Sequence, residues 1–126
     1  MLIYMTLLEH RDREERPWGS FERFTHNEPA TVKILKVLPG QELSLQKHAH
    51  RSEFWRVLAG TGVVTLGAEE RPATVSDEFE ILPETPHRLA AGADGITVLE
   101  IALGDFEEND EVRLADDYQR GSPPSA

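Results

Sequence analysis

Along this chain, apolar and polar residues alternate over short distances and are interrupted by turn residues. The stretches that read as strands are SFERFTH, ATVKILKVLPG, ELSLQKHAH, EFWRVLAG, GVVTLG, ATVSDEFEIL, HRLAAG and GITVLEIAL. Pro39-Gly40, Gly60-Thr61-Gly62, Gly67, Pro83, Pro86, Gly92 and Asp94-Gly95 punctuate them, as Gly and Pro clusters do at strand ends. No segment between residues 20 and 104 repeats its apolar positions at a helical period. Many short strands without intervening helices predict an all-β sandwich or barrel. The charged lead-in EHRDREER is expected to be a short helix or a solvated arm. The acidic run GDFEENDEVRLADDYQR is expected to pack as a short helix or arm, and GSPPSA to be a disordered tail.

The stretch QKHAHRSEFWRVLAG carries the candidate chemistry. Side chains alternate along a strand, so Gln46, His48 and His50 share one face. After the Arg51-Ser52 break, Glu53, Trp55, Val57 and Ala59 share a face on the next strand. Trp55 and Val57 turn that face toward the core, which leaves Glu53 as a carboxylate at the mouth of an apolar barrel. An unpaired charge there is costly, and a metal ion is one natural partner. His87 follows a Pro-rich turn and shares its parity with Leu89, so it also faces inward. These residues make either a mononuclear metal site or a hydrogen-bonded polar cluster. By residue type alone, His48 and His50 form an HxH pair.

Further candidates lie nearby. Glu100 groups with Ile96, Val98 and Ala102 in an otherwise apolar strand. Facing the cavity, it would be a general base; facing solvent, it would be an edge residue. Arg51, Arg88, Lys33, Lys36 and Lys47 are the basic residues near the site. A planar guanidinium suits phosphate, whereas the single lysines read more simply as solvated surface. Trp18, Phe21, Trp55 and Phe79 are expected in the core, and His10 and His26 on the surface.

Composition narrows the field. The 126 residues suit one domain. Acidic residues outnumber basic ones 23 to 13, and the formal charge of −10 argues against a nucleic-acid or anionic-membrane partner. With no cysteine, a metal site must use His, carboxylate or amide ligands. MLIYMTLLEHRDREER lacks the features of a signal peptide and is too short to span a bilayer, so a cytoplasmic location is expected.

The series Gly40, Gln46-x-His48, Glu53, Gly60 resembles the first motif of the cupin superfamily, in which a His usually stands where Gln46 stands. EILPETPHRL resembles the second cupin motif, with Glu84 at the place of the usual glycine. RPWGSFE, PGQELSLQKHAHRSEFWRVLAGTGVVT, PHRL and GDFEENDEVRLADDYQR together resemble the phosphomannose isomerase domain of type II enzymes, over roughly residues 16–120. Those enzymes usually carry a mannose-1-phosphate guanylyltransferase domain as well, which is not found here, so nucleotide transfer is not expected.

The resemblance implies a lead-in over 1–15, a single-domain cupin β-sandwich or jelly-roll barrel over 16–120 with short helical or irregular arms, and a tail over 121–126. It implies one divalent ion held by Gln46, His48, Glu53 and His87, with His50 in reserve as a ligand or beside substrate. Zn²⁺ leads, and Fe²⁺, Mn²⁺, Co²⁺ and Ni²⁺ also suit such donors. Arg51 and Arg88 would hold the phosphate of a sugar phosphate, and Glu100 and Arg51 would serve catalysis. The implied activity is isomerisation between mannose 6-phosphate and fructose 6-phosphate, in a homodimer. The alternatives are a sugar- or sugar-phosphate-binding cupin without catalysis, and a small metal-dependent oxygenase.

Overall fold

The computed structural model describes residues 7–104, 107 and 110–118, and none of these is helical. β1 (Asp12–Arg16) and β2 (Gly19–Arg23) form an antiparallel hairpin. β3 (Ala30–Val37), β4 (Leu45–Lys47), β5 (Arg51–Leu66), β6 (Glu69–Ala73), β7 (Glu78–Ile81), β8 (His87–Gly104) and β9 (Val112–Ala115) make one continuous hydrogen-bonded sheet.

The sheet folds onto itself through its two long strands. β5 and β8 run antiparallel for nearly their whole lengths, with register shifts at Val57/Ala59 and Gly60/Gly62. The first adds one residue to β5, a bulge that bends and twists the pair, and at the second Thr61 stands opposite four residues of β8. Before the bulges, β5 lies between β7 and the second half of β8, and β3 pairs on the far side of β8. Beyond them, β5 lies between β6 and the first half of β8, followed by β4 and β9. The first half supplies Val37, Trp55, Val57, Phe79, Ile81, Ile96 and Val98 to the core, and the second supplies Val64, Ala73 and Leu89. Two layers therefore close face to face over one apolar interior, as a β-sandwich does.

The strand breaks expected at Gly60-Thr61-Gly62 and at Asp94-Gly95 are instead positions where a strand bends and continues. A Cβ on Gly60 would lie 2.1 Å from the carbonyl oxygen of Gly95, and one on Gly62 would lie 2.1 Å from that of Ala90. These glycines answer to the close approach of two backbones, not to a reversal of the chain. The same shift turns Ala59 to solvent, although Glu53, Trp55 and Val57 are buried as expected.

The ends depart from the helix-or-arm reading. Part of the charged lead-in forms β1, because its charges meet opposite charges across the hairpin. Arg23 donates to both oxygens of Asp12, at 2.8 and 2.6 Å, in a register that places the two residues opposite each other. The hairpin begins at Asp12. Trp18, expected in the core, sits in the hairpin turn and is 72 % exposed. Phe21 is half-buried beneath the guanidinium groups of Arg16 and Arg23. Trp55 and Phe79 are buried, and His10 and His26 are exposed. In the acidic run, Val112–Ala115 forms β9. β6 was not foreseen, because EERPA is charged and contains Pro72. It is an edge strand, where proline is tolerated. The expected tail at 121–126 lies outside the described residues. No helix among the described residues is long and apolar enough to cross a membrane.

Gly62→Ala should cost about 3 kcal/mol of stability, because the new methyl meets backbone that cannot step aside. Gly67→Ala, where a Cβ would meet nothing within 4 Å at φ +59, should cost only about 1 kcal/mol. Urea unfolding of the two variants beside wild type measures both, and equal losses would refute the close-approach account.

Candidate metal centre

The sandwich brings three buried side chains from three places in the chain to one point. His48 follows β4, Glu53 lies near the start of β5, and His87 opens β8. One donor atom from each lies within 4.8 Å of the other two. His48 Nε2 is 3.0 Å from Glu53 Oε1, and His87 Nε2 is 3.9 Å from Glu53 Oε2. Exposures of 4 % for His48, 2 % for Glu53 and 0 % for His87 place the cluster away from solvent.

The outer nitrogen of each ring is tied to a backbone carbonyl. His87 Nδ1 lies 2.9 Å from the Thr85 oxygen, and His48 Nδ1 lies 2.7 Å from the Asp110 oxygen. A carbonyl only accepts, so both Nδ1 atoms carry protons and both Nε2 atoms turn inward. His87 Nε2 is buried with no hydrogen-bond partner among the described residues. Burial pushes the His87 pKa down, which keeps that ring neutral and its lone pair available. Two inward imidazole nitrogens and a carboxylate, each ring held from behind, fit a divalent transition ion.

Asp110 does more than orient His48. Its carboxylate accepts the backbone N–H groups of Ala49 and His50, at 2.9 Å each, and so fixes the turn from β4 into β5. Sequence reasoning passed over it as one acidic residue among 23. Nothing local marks a residue 62 positions from its partner.

The buried carboxylates titrate in opposite directions. Burial opposes ionisation of Glu53, but hydrogen bonds with His48 and Glu100 and the nearby imidazoles outweigh it and hold its carboxyl far below the usual range. Glu100 is pushed up to about 8 by burial and by the charge and hydrogen bond of Glu53. It is 6 % exposed, which excludes the solvent-facing reading. Trp55 Nε1 donates to both carboxylates, at 2.9 Å to Glu100 Oε2 and 3.2 Å to Glu53 Oε2. Lys33 stands opposite Glu100 across β3 and β8, and its charge opposes the upward shift. Burial works against a charged His48, but Glu53 and the Asp110 carbonyl outweigh it and raise that pKa.

The remaining candidates are placed unevenly. Gln46 is half-buried on β4, with its Cα in register with that of His87. His50 is exposed in the turn and does not join the cluster, because the backbone bends after His48. Arg51 was expected at the rim but is 6 % exposed and lies inside the site. Its Nε donates to Glu53 Oε1 at 3.0 Å, and its Nη2 lies 3.2 Å from His48 Nε2. Arg88 is not brought to the cluster. Alternation places it on the opposite face of β8 from His87, where it donates to the carbonyls of Leu43 and Ala115 and pairs with Glu42 at 3.2 Å. Lys36 is exposed, and Lys47 pairs with Glu84 at 3.4 Å. Glu84 takes φ +66, the left-handed conformation that explains why a glycine would suit its place in the turn.

Residues 6–117 match the family described as Mannose-6-phosphate isomerase C-terminal. The chain belongs to this family. Its relatives include a mannose-1-phosphate guanylyltransferase of Escherichia coli K12, 36 % identical over 116 residues, covering 89 % of this chain and 24 % of the relative. Another is the alginate biosynthesis protein AlgA of Pseudomonas aeruginosa PAO1, 36 % identical over 112 residues, covering 87 % of this chain and 23 % of the relative. The chain thus spans about a quarter of the length of such family relatives. Among solved structures, a cupin protein from Bacteroides fragilis superposes with a TM-score of 0.56 at 24 % identity, covering 62 % of this chain and 70 % of that one. CapF from Staphylococcus aureus superposes with a TM-score of 0.64 at 18 % identity, covering 83 % and 32 %. At these identities the structures show the fold alone, and that fold is the cupin sandwich.

The shifts set a pH dependence for this family member in chelator-treated form. Between the ordinary 4.5 and about 8, folded Glu100 keeps a proton that the unfolded chain releases, so its contribution to stability is lost as pH rises. His48, also raised, acts in the same direction, whereas lowered His87 acts against it. Denaturation at a series of pH values across this window should show Glu100→Gln with a flatter loss than wild type. Identical slopes would remove the buried proton from Glu100.

Proposed function

We propose that this domain interconverts mannose 6-phosphate and fructose 6-phosphate at a divalent metal held by His48, Glu53 and His87, with Gln46 as the fourth protein ligand. The observation that carries the reading is the buried, unpartnered Nε2 of His87 facing Glu53 and His48, in a chain of the Mannose-6-phosphate isomerase C-terminal family. When bound, a divalent ion supplies positive charge against the oxyanions that develop at the reacting carbons.

The chain's own groups handle protons and position. The reaction moves one proton from C2 to C1 and another from O2 to O1. Glu100 is the proposed proton carrier. A carboxyl pushed up to about 8 holds a proton at neutrality, and its ionised form is a stronger base than an ordinary carboxylate. Trp55 fixes the Glu100 carboxyl through its indole N–H. Lys33 opposes the upward shift and so brings Glu100 closer to working pH. Of the two arginines expected to hold phosphate, only Arg51 lies at the cluster, so the proposed anion contact rests on it.

A second reading, a sugar-phosphate-binding cupin without turnover, draws support from the near-complete burial of His48, Arg51, Glu53 and His87. A coupled assay on protein reloaded with Zn²⁺ or Co²⁺ separates the two. Wild type should convert mannose 6-phosphate, and His87→Ala should fall to the level of chelated protein. Metal-loaded wild type that binds the sugar phosphate without converting it would establish the second reading instead.

A further inference from the structure

Arg51 touches two of the three donor residues directly. Its Nε donates to Glu53 Oε1 at 3.0 Å, and its Nη2 sits 3.2 Å from His48 Nε2. Those same atoms, Glu53 Oε1 and His48 Nε2, are only 3.0 Å apart. The guanidinium continues outward, with Nη1 donating to the carbonyl of Glu107 at 3.1 Å. A permanent, planar cation therefore bonds to a Glu53 lone pair that a divalent ion would need and stands against the His48 nitrogen that would be its second ligand. Glu53 Oε1 cannot offer one lone pair to both, and the guanidinium occupies the space beside His48 Nε2. The two cations would also repel each other at this distance in a poorly screened interior.

We propose that Arg51 is a resident cation that competes with the metal, and that metal binding releases its guanidinium to receive the anionic group of the substrate. This rests on the metal-centre reading above and adds a coupling to it. Metal and anion become positive effectors of each other through one side chain. The metal frees the guanidinium, and an anion that holds the guanidinium away from Glu53 and His48 tightens the metal. Such coupling is reciprocal by thermodynamic necessity. Removing the guanidinium abolishes both halves: the competition and the response to anions.

The test is calorimetric titration of chelator-treated protein with Co²⁺, with and without inorganic phosphate. The proteins are wild type, Arg51→Met and Arg51→Gln, and Co²⁺ absorption serves as a second readout. Arg51→Met should bind Co²⁺ about 10-fold more tightly than wild type, within the usual range of such couplings. Phosphate should tighten Co²⁺ binding to wild type and leave both variants unaffected. Arg51→Gln retains polar volume without charge, which keeps the comparison open if the apolar variant folds poorly. Variants that bind Co²⁺ no more tightly than wild type, or that still respond to phosphate, would overturn the proposal while leaving the metal centre standing. Wild type and variants that all fail to bind Co²⁺ would overturn the metal centre itself, and the competition with it.

Discussion

A buried negative charge at Glu53 organises this end of the molecule. The carboxylate is 2 % exposed, and such a group is stable only with cations or strong donors around it. Every near neighbour answers that requirement. Arg51 and Trp55 donate to it, His48 and His87 present ring nitrogens to it, and Glu100 keeps a proton beside it. The opposite titration of the two glutamates follows from the same constraint. Two like charges sharing one dry site do not both ionise, so the one with more donors takes the charge.

The fold supplies this constraint through the bend in β5 and β8. Without the slip at Gly60 and Gly62, the two long strands would form a flat ribbon, and the His87 end of β8 would not close over the Glu53 end of β5. The bend lets one strand pair serve both layers. It brings residues 48, 53 and 87 together although they belong to different layers of the sandwich. Second contacts then set the rings: a local carbonyl for His87, and a distant one, from Asp110, for His48.

Much of this was legible in the sequence, for identifiable reasons. The shared parity of Glu53 with Trp55 and Val57 turns it inward, and the parity of His87 with Leu89 does the same on β8. Both inferences need only the two-residue repeat of a strand. The all-β class followed from short alternating runs without a helical period. What alternation cannot reveal is where a charged side chain finds its partner. Arg51 lies next to an apparent break and reads as a rim residue, but β5 begins at Arg51 itself and its guanidinium turns inward to Glu53. Arg88 has the right chemistry on the wrong face. β1 and β9 escaped notice because their stability comes from cross-strand charge pairs and from a neighbour supplied by distant sequence, and neither leaves a local apolar period. Gly60 and Gly62 read as turn formers because a close approach of backbones calls for the same residue as a chain reversal.

The charge on Glu53 is proposed above to bind a metal together with two imidazoles. The most direct test of that proposal is the metal content of protein stripped with chelator, reloaded with Zn²⁺, dialysed and measured by mass spectrometry. Wild type is compared with Glu53→Gln, which preserves shape and removes the charge. The account predicts one ion per chain in wild type and essentially none in Glu53→Gln, with both proteins folded. A full equivalent retained by Glu53→Gln, or none taken up by folded wild type, would contradict it.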